Sequence, residues 1–140
     1  MNFEIVLEEA KKGVKESAYW MKKALDEGQM KDVLINSNKM LEHLKVSDVS
    51  PKDYYILFML VFDELMILEQ GFRDLVASGK KKMVDIYEAV QHAKSIIPRL
   101  YLMVTCGSVL VDSGEKTADQ VTKDLFHYLK GVQHPFRGLF

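Results

Sequence analysis

Apolar residues recur at steps of three and four along most of this 140-residue chain, the spacing that places side chains on one face of an α-helix. One such face runs through residues 3 to 25 and a second through residues 30 to 44. The alternation of apolar and polar residues that marks a strand is not sustained anywhere in the sequence. The chain is therefore predicted to be all-α, built from amphipathic helices.

Local signals mark where the first three helices begin and end. Gly28 and Gly79 are predicted to stop the first and third helices, and residues 112 to 114 to form a later turn. The third helix should begin at Ser50-Pro51, a serine cap followed by proline at the first helical position. Every residue from 54 to 62 is apolar, so little of the circumference of this helix is left for water, and we expect it to be buried at the centre of the fold.

The remaining helices are less regular. A fourth helix begins at Met83 and continues into an apolar run at residues 96 to 111, where Pro98 should bend or interrupt the helix. The apolar face of this helix is predicted to be Met83, Ile86, Val90, Ala93 and Ile97. Thr117 and Gln120 have the spacing of a capping box at the start of a fifth helix. The apolar face of this helix is predicted to be Val121, Leu125, Tyr128 and Val132, and we expect the helix to end near Gly131.

Composition excludes several classes of function. The chain has 19 Lys and Arg against 20 Asp and Glu, so it lacks the basic excess of a nucleic-acid-binding protein, and no nucleic-acid partner is expected. The single cysteine, Cys106, is predicted to be a buried side chain in a reducing compartment. No export signal is visible at the amino terminus. We expect a cytoplasmic protein with one helical domain, residues 1 to 140.

Few residues suggest chemistry. Glu88 and His92 share a helical face, as do Asp124 and His127, but a metal site in a helical bundle needs ligands that converge from several helices. Cys106 lies among apolar neighbours, whereas a reactive thiol needs an electropositive setting. We therefore expect no enzyme activity, no catalytic residue, no cofactor and no metal. A small helical metal-binding protein and a self-contained adaptor that binds peptides are the alternatives.

The apolar run IIPRLYLMVTCGSVLV, residues 96 to 111, contains a proline and an arginine. It is shorter than the ~20 residues of a membrane-spanning helix, so we expect it to lie within the protein. Arg99 could reach solvent or hold carbonyl groups that Pro98 leaves free, or it could pair with Asp63 or Glu64 of the third helix. Physical chemistry alone does not choose between these structural roles and a contact with another protein.

A functional hypothesis is that residues 98 to 103 face a partner, with Arg99 and Tyr101 as anchors. Four stretches bear on it: SPKDYY at 50 to 55, DELMILE at 63 to 69, IYEAVQHAKSIIPRLYLM at 86 to 103, and GVQHPFRGLF at 131 to 140. Together and in this order they resemble the amino-terminal region of the vacuolar protein sorting 35 family, the large subunit of retromer. Residues 1 to 45 resemble that family only in being helical and amphipathic.

The resemblance implies an α-solenoid of antiparallel helical hairpins, similar to HEAT repeats. It also implies a non-catalytic scaffold of the retromer coat, which acts in endosomal cargo recycling and retrograde protein transport and lies peripherally on endosomal membranes. In that family the PRLYLM segment is required for binding of the arrestin-like subunit, vacuolar protein sorting 26. By position this role falls on Pro98, Arg99, Leu100, Tyr101, Leu102 and Met103.

Further partners implied by the family are sorting nexins, a Rab-type GTPase and cargo tails, and the membrane association would be indirect. Family members continue for many more helical repeats. We therefore expect this chain to lack the end that binds the third core subunit, vacuolar protein sorting 29. An uncapped solenoid exposes an apolar face, so a dimer of the fragment is also expected.

Overall fold

The computed structural model describes residues 3–46, 49–91 and 96–137, and in these ranges it contains α-helices, one short 3-10 turn and no strand. The elements in chain order are α1 (Phe3–Glu27), α2 (Met30–Glu42), the 3-10 turn (His43–Lys45), α3 (Pro51–Ala77), α4 (Met83–Val90), α5 (Ile96–Ser113) and α6 (Ala118–Arg137). The all-α prediction is confirmed, with successive helices arranged as hairpins. Contacts divide the chain into two compact units, Met1–Gly71 and Phe72–Phe140, and the single domain stays a prediction.

Three helices end at glycines, as the sequence predicts. Gly28, Gly79 and Gly114 follow α1, α3 and α5 closely and have φ angles of 70°, 74° and 79°. This left-handed conformation is costly for residues with a Cβ atom and not for glycine, so each glycine lets the chain leave its helix.

Two helix starts are also confirmed. The hydroxyl of Ser50 accepts a hydrogen bond from the backbone N–H of Asp53 at 3.1 Å, which caps α3. At the start of α6, the N–H of Thr117 donates to the side-chain oxygen of Gln120 at 3.0 Å. The N–H of Gln120 donates back to the Thr117 hydroxyl at 3.2 Å, which completes a capping box.

In the first unit, α1 packs against α2 through the faces that the periodicity predicts. The buried apolar residues of this pair and the 3-10 turn are Leu7, Ala10, Val14, Ala18, Met21, Ala24, Val33, Met40, Leu41 and Leu44. Two polar contacts hold α3 against them. The Lys22 ammonium lies 2.9 Å from the Glu64 carboxylate, and the Tyr54 hydroxyl donates to the carbonyl of Leu44 at 3.1 Å.

The expectation that α3 is buried around most of its circumference is wrong. One face of α3 is buried, and its residues are Leu57, Val61, Leu65, Leu68 and Phe72. Tyr55, Phe62 and Met66, on another face, are 62%, 43% and 48% exposed. An apolar run makes a helix suitable for burial on several faces, but each face is buried only where a neighbouring helix packs against it.

In the second unit, α5 packs against both α4 and α6. The buried apolar side chains of these helices are Met83, Ile86, Tyr87, Val90, Leu102, Met103, Cys106, Val109, Leu110 and Val121. Gly107 allows a close approach of α5 and α6, because a Cβ atom built on it would lie 2.6 Å from Cγ1 of Val121. Arg73, in the last turns of α3, pairs with Asp112 of α5 and donates to the Ser108 hydroxyl at 3.3 Å.

Two expectations about helix limits need correction. The fourth predicted helix is not continuous, since α4 ends at Val90 and Gln91 lies in a turn; Ala93, which we placed on its apolar face, lies outside the described residues. The last helix does not end near Gly131 but runs to Arg137. Gly131 does not have a positive φ, and a glycine in an ordinary helical conformation weakens a helix without ending it.

Helix α5 is the one described segment long and apolar enough to cross a membrane by length and composition. The core helix of a soluble protein passes the same test. Eight residues of α5 are buried, and the helix packs between α4 and α6. These contacts support the prediction that the apolar run lies within the protein.

Candidate partner-binding surface

The segment Pro98–Met103 occupies the first turns of α5. Pro98 is the third residue of α5 in the described range, and it is buried. The predicted bend or interruption of a helix at Pro98 involves residues 92 to 95, which lie outside the described residues.

The six predicted binding residues divide into a buried and a half-buried set. Pro98, Leu102 and Met103 are buried, and the last two are 1% and 2% exposed. Arg99, Leu100 and Tyr101 are half-buried. The buried set anchors the segment in the second unit, and the half-buried set is the part that a partner could reach.

Arg99 makes two contacts that tie together three helices of this unit. Its Nη1 donates to the carbonyl of Gln91, the residue that follows α4, at 3.1 Å. Its guanidinium carbon lies 4.4 Å from the centre of the Tyr128 ring of α6, a cation–π contact. Glu64, one of the acids considered as its partner, is paired with Lys22 instead. Arg99 thus holds a carbonyl at the end of α4. The carbonyl that Pro98 would leave free in a continuous helix belongs to Lys94, which lies outside the described residues.

The Nε atom of Arg99 is buried and has no hydrogen-bond partner among the described residues. A buried donor without an acceptor costs about 1–3 kcal/mol. The cleft beside it has a volume of about 170 Å³ and is lined by Gln91, Arg99, Met103, Asp124, His127 and Tyr128.

Tyr128 is the residue that sequence reasoning missed as part of this site. We predicted it on the apolar face of the last helix. In the structure its hydroxyl donates to the carbonyl of Ile96 at 2.9 Å, while its ring lies against Arg99. The two residues lie on different helices, and no local spacing signals such a contact. The only sequence sign is a tyrosine at the edge of an amphipathic face, a side chain with an apolar ring and a polar end.

Asp124 lies one turn before Tyr128 and holds the end of α4. Its carboxylate accepts from the hydroxyl of Tyr87 at 3.0 Å and from the ammonium of Lys116 at 3.2 Å. Burial and the hydrogen bond to Asp124 raise the pKa of Tyr87, so the phenol stays protonated. Asp124 therefore has a structural role.

The residue pairs considered for a metal site give it no support. Asp124 is engaged by Tyr87 and Lys116 rather than by His127, and His92 lies outside the described residues. In the part of the chain that the structure describes, no three His, Cys, Asp or Glu side chains come together as metal ligands. Cys106 is fully buried, and burial raises the pKa of its thiol, which confirms the prediction of an inert packed cysteine.

Comparison with known families identifies the family to which the chain belongs. The family model for vacuolar protein sorting-associated protein 35 matches residues 6–140. The chain belongs to this family. The resemblance expected from four short stretches is thereby confirmed, and the match extends it through α1 and α2, where the sequence showed only amphipathic helices.

Curated members of the vacuolar protein sorting-associated protein 35 family align along almost the whole chain. Protein 35C of Arabidopsis thaliana is 46% identical over 127 residues, which is 91% of this chain and 16% of the relative. Protein 35A of the same plant is 44% identical over 126 residues, 90% of this chain and 16% of the relative. The Dictyostelium discoideum protein is 41% identical over 133 residues, 95% of this chain and 17% of the relative. The chain thus spans about a sixth of their length.

Proposed function

We propose that this chain is the amino-terminal part of the large scaffold subunit of the retromer coat. In this role it is non-catalytic, acts in endosomal cargo recycling and retrograde transport, and is a cytosolic protein held peripherally on endosomal membranes. Its helices bind the arrestin-like subunit, vacuolar protein sorting 26, through residues 98 to 103. Sorting nexins, a Rab-type GTPase and cargo tails are further partners of the assembly.

The observation that carries the proposal is the family match over residues 6–140. Relatives that carry the words vacuolar protein sorting in their names are 41% to 46% identical to this chain over 90% of its length or more. The helical hairpins agree with a solenoid scaffold, which presents extended surfaces to partners rather than an enclosed active site.

The geometry of the PRLYLM segment supports its use as a binding surface. Its buried residues fix the helix in the unit, while Arg99 and Tyr101 are half-buried and belong to residue types enriched at interface hot spots. Arg99 keeps a buried Nε without an acceptor among the described residues. A guanidinium carries five donors in a planar fork, and a donor not used by the described residues suits recognition of a partner's carboxylate or carbonyl.

The test is binding of the purified 140-residue chain to purified vacuolar protein sorting 26, measured by isothermal titration calorimetry. We expect Arg99→Ala to weaken binding by about tenfold or more, because truncating an arginine hot spot typically costs about 2 kcal/mol or more. Arg99→Lys retains the charge but not the planar fork of donors, and it should restore binding only in part. Lys123→Ala, an exposed cation on α6, is the matched control and should leave affinity unchanged.

Circular dichroism and thermal unfolding of each variant separate contact from folding. Loss of affinity with unchanged helicity supports Arg99 as a contact residue. If affinity and helicity fall together, Arg99 acts through the fold. Failure of the unaltered chain to bind the subunit would reject the proposed partner.

A further inference from the structure

Tyr128 contacts the start of α5 at two points. Its hydroxyl donates to the carbonyl of Ile96 at 2.9 Å, and its ring centre lies 4.4 Å from the guanidinium carbon of Arg99. Ile96 and Arg99 are three residues apart in one helix, so they lie on the same face. One side chain of α6 thus contacts both the backbone and a side chain of a single turn.

The same face of α6 also holds α4. Asp124 precedes Tyr128 by four residues, and its carboxylate accepts a hydrogen bond from the hydroxyl of Tyr87 in α4 at 3.0 Å. Arg99 donates a hydrogen bond to the carbonyl of Gln91, just after α4, at 3.1 Å. The end of α4, the first turn of α5 and one face of α6 are therefore joined by directional contacts. Such contacts fix orientation, whereas apolar packing alone tolerates rotation and sliding.

A flexible arginine loses rotamer freedom when it binds a partner, and that loss weakens binding. The Tyr128 ring covers one side of the Arg99 guanidinium and limits its plane, and the Gln91 carbonyl limits its direction. Arg99 is therefore already ordered in the free chain.

We propose that Tyr128 is a positioning residue for the partner surface, which holds the first turn of α5 and the Arg99 guanidinium in their binding geometry. This inference rests on the proposed function, since it assigns to Tyr128 a role at the same surface. Tyr128 acts through Arg99, and its contribution to binding disappears when Arg99 is removed.

The first measurement needs no partner. Hydrogen–deuterium exchange of the intact 140-residue chain should show amides of residues 99 to 103 exchanging about tenfold faster in Tyr128→Ala, because the turn loses both of its contacts with α6. Tyr128→Phe keeps the ring over Arg99 and loses only the bond to Ile96, so its exchange should rise by about threefold or less. Lys123→Ala on the same helix is the control and should exchange as the unaltered chain does.

The second measurement is affinity for vacuolar protein sorting 26 across a double-mutant cycle. Tyr128→Ala should weaken binding by about tenfold and Tyr128→Phe by about threefold or less. In an Arg99→Ala background, Tyr128→Ala should change affinity by less than about twofold, because the residue through which it acts is gone.

Unchanged exchange at residues 99 to 103 in Tyr128→Ala would overturn the inference. So would losses of affinity that multiply in the double variant, since independent effects on the fold behave that way. If the unaltered chain does not bind the subunit, the proposed function fails, and the exchange result alone decides whether Tyr128 positions this turn.

Discussion

Cys106 lies at the centre of α5 with no exposed surface, and burial raises the pKa of its thiol above the ordinary value of 9.0. Burial disfavours the charged thiolate, so the folded chain keeps the proton in a pH range where the unfolded chain releases it. Below about pH 9 both states are protonated, and the thiol has no effect on the pH dependence of stability. Above that pH, proton release from the unfolded state lowers the free energy of unfolding as pH rises.

We therefore predict that the chain loses stability between about pH 8 and about pH 10, and that Cys106 contributes up to about 1.4 kcal/mol of the loss. The measurement is urea unfolding of the unaltered chain and of Cys106→Ala at both pH values. Tyr87, whose pKa burial and Asp124 also raise, is present in both proteins, so its effect cancels in the comparison. An equal loss of stability in the two proteins would contradict the prediction.

The sequence predicted which residues form the candidate site, but not their burial or their contacts. The six residues from 98 to 103 came from a family resemblance, and no periodicity showed that Arg99 would be half-buried while Leu102 would be buried. The contact between Arg99 and Tyr128 depends on how α5 and α6 pack, which is a tertiary property. The order of charges and apolar residues along one helix does not carry that information.

At the scale of a helix, the boundaries best predicted are those specified by neighbouring residues. The cap at Ser50 and the capping box at Thr117 involve groups three residues apart, and Gly28 ends α1 through its own φ angle. The break between α4 and α5 and the extension of α6 through Gly131 were not predicted. Both depend on how well each segment packs, and weak local signals such as one glycine are overridden by packing.

The close approach of α5 and α6 depends on Gly107. A Cβ atom at this position would lie 2.6 Å from Cγ1 of Val121, and Val121 is buried and unable to move far. We expect Gly107→Ala to lower the free energy of unfolding by about 1–3 kcal/mol, because overpacking outweighs the better helix propensity of alanine. Chemical denaturation monitored by circular dichroism measures the change.

Gly131→Ala is the matched control, since no atom of the described part of the chain lies within 4 Å of the added Cβ atom. It should leave stability unchanged or raise it by up to about 1 kcal/mol. Val121→Ala combined with Gly107→Ala should recover part of the loss, because it removes the clashing methyl group. A Gly107→Ala variant as stable as the unaltered chain would show that the two helices can separate at no cost.

At the scale of the whole molecule, the apolar content of the chain exceeds what its own helices cover. The α3 stripe, formed by Tyr55, Phe62 and Met66, follows steps of seven and four residues along one face, and each member is at least 43% exposed. Phe58 stacks on Phe62 with ring centres 6.3 Å apart, which extends the aromatic part of this surface. Contiguous exposed apolar surface on a folded protein favours association.

We predict that the isolated chain self-associates through the α3 stripe. In sedimentation equilibrium, the average mass should rise above the 16.1 kDa of one chain as concentration increases. Met66→Lys should keep the chain monomeric, because association would then bury a charge, and the new ammonium can pair with Asp63 and Glu69 one turn away in the monomer.

Ile5→Lys, at a 56% exposed residue of α1 outside the stripe, is the control and should associate as the unaltered chain does. Equal association of the two lysine variants would exclude the stripe, and a constant mass for the unaltered chain would exclude self-association.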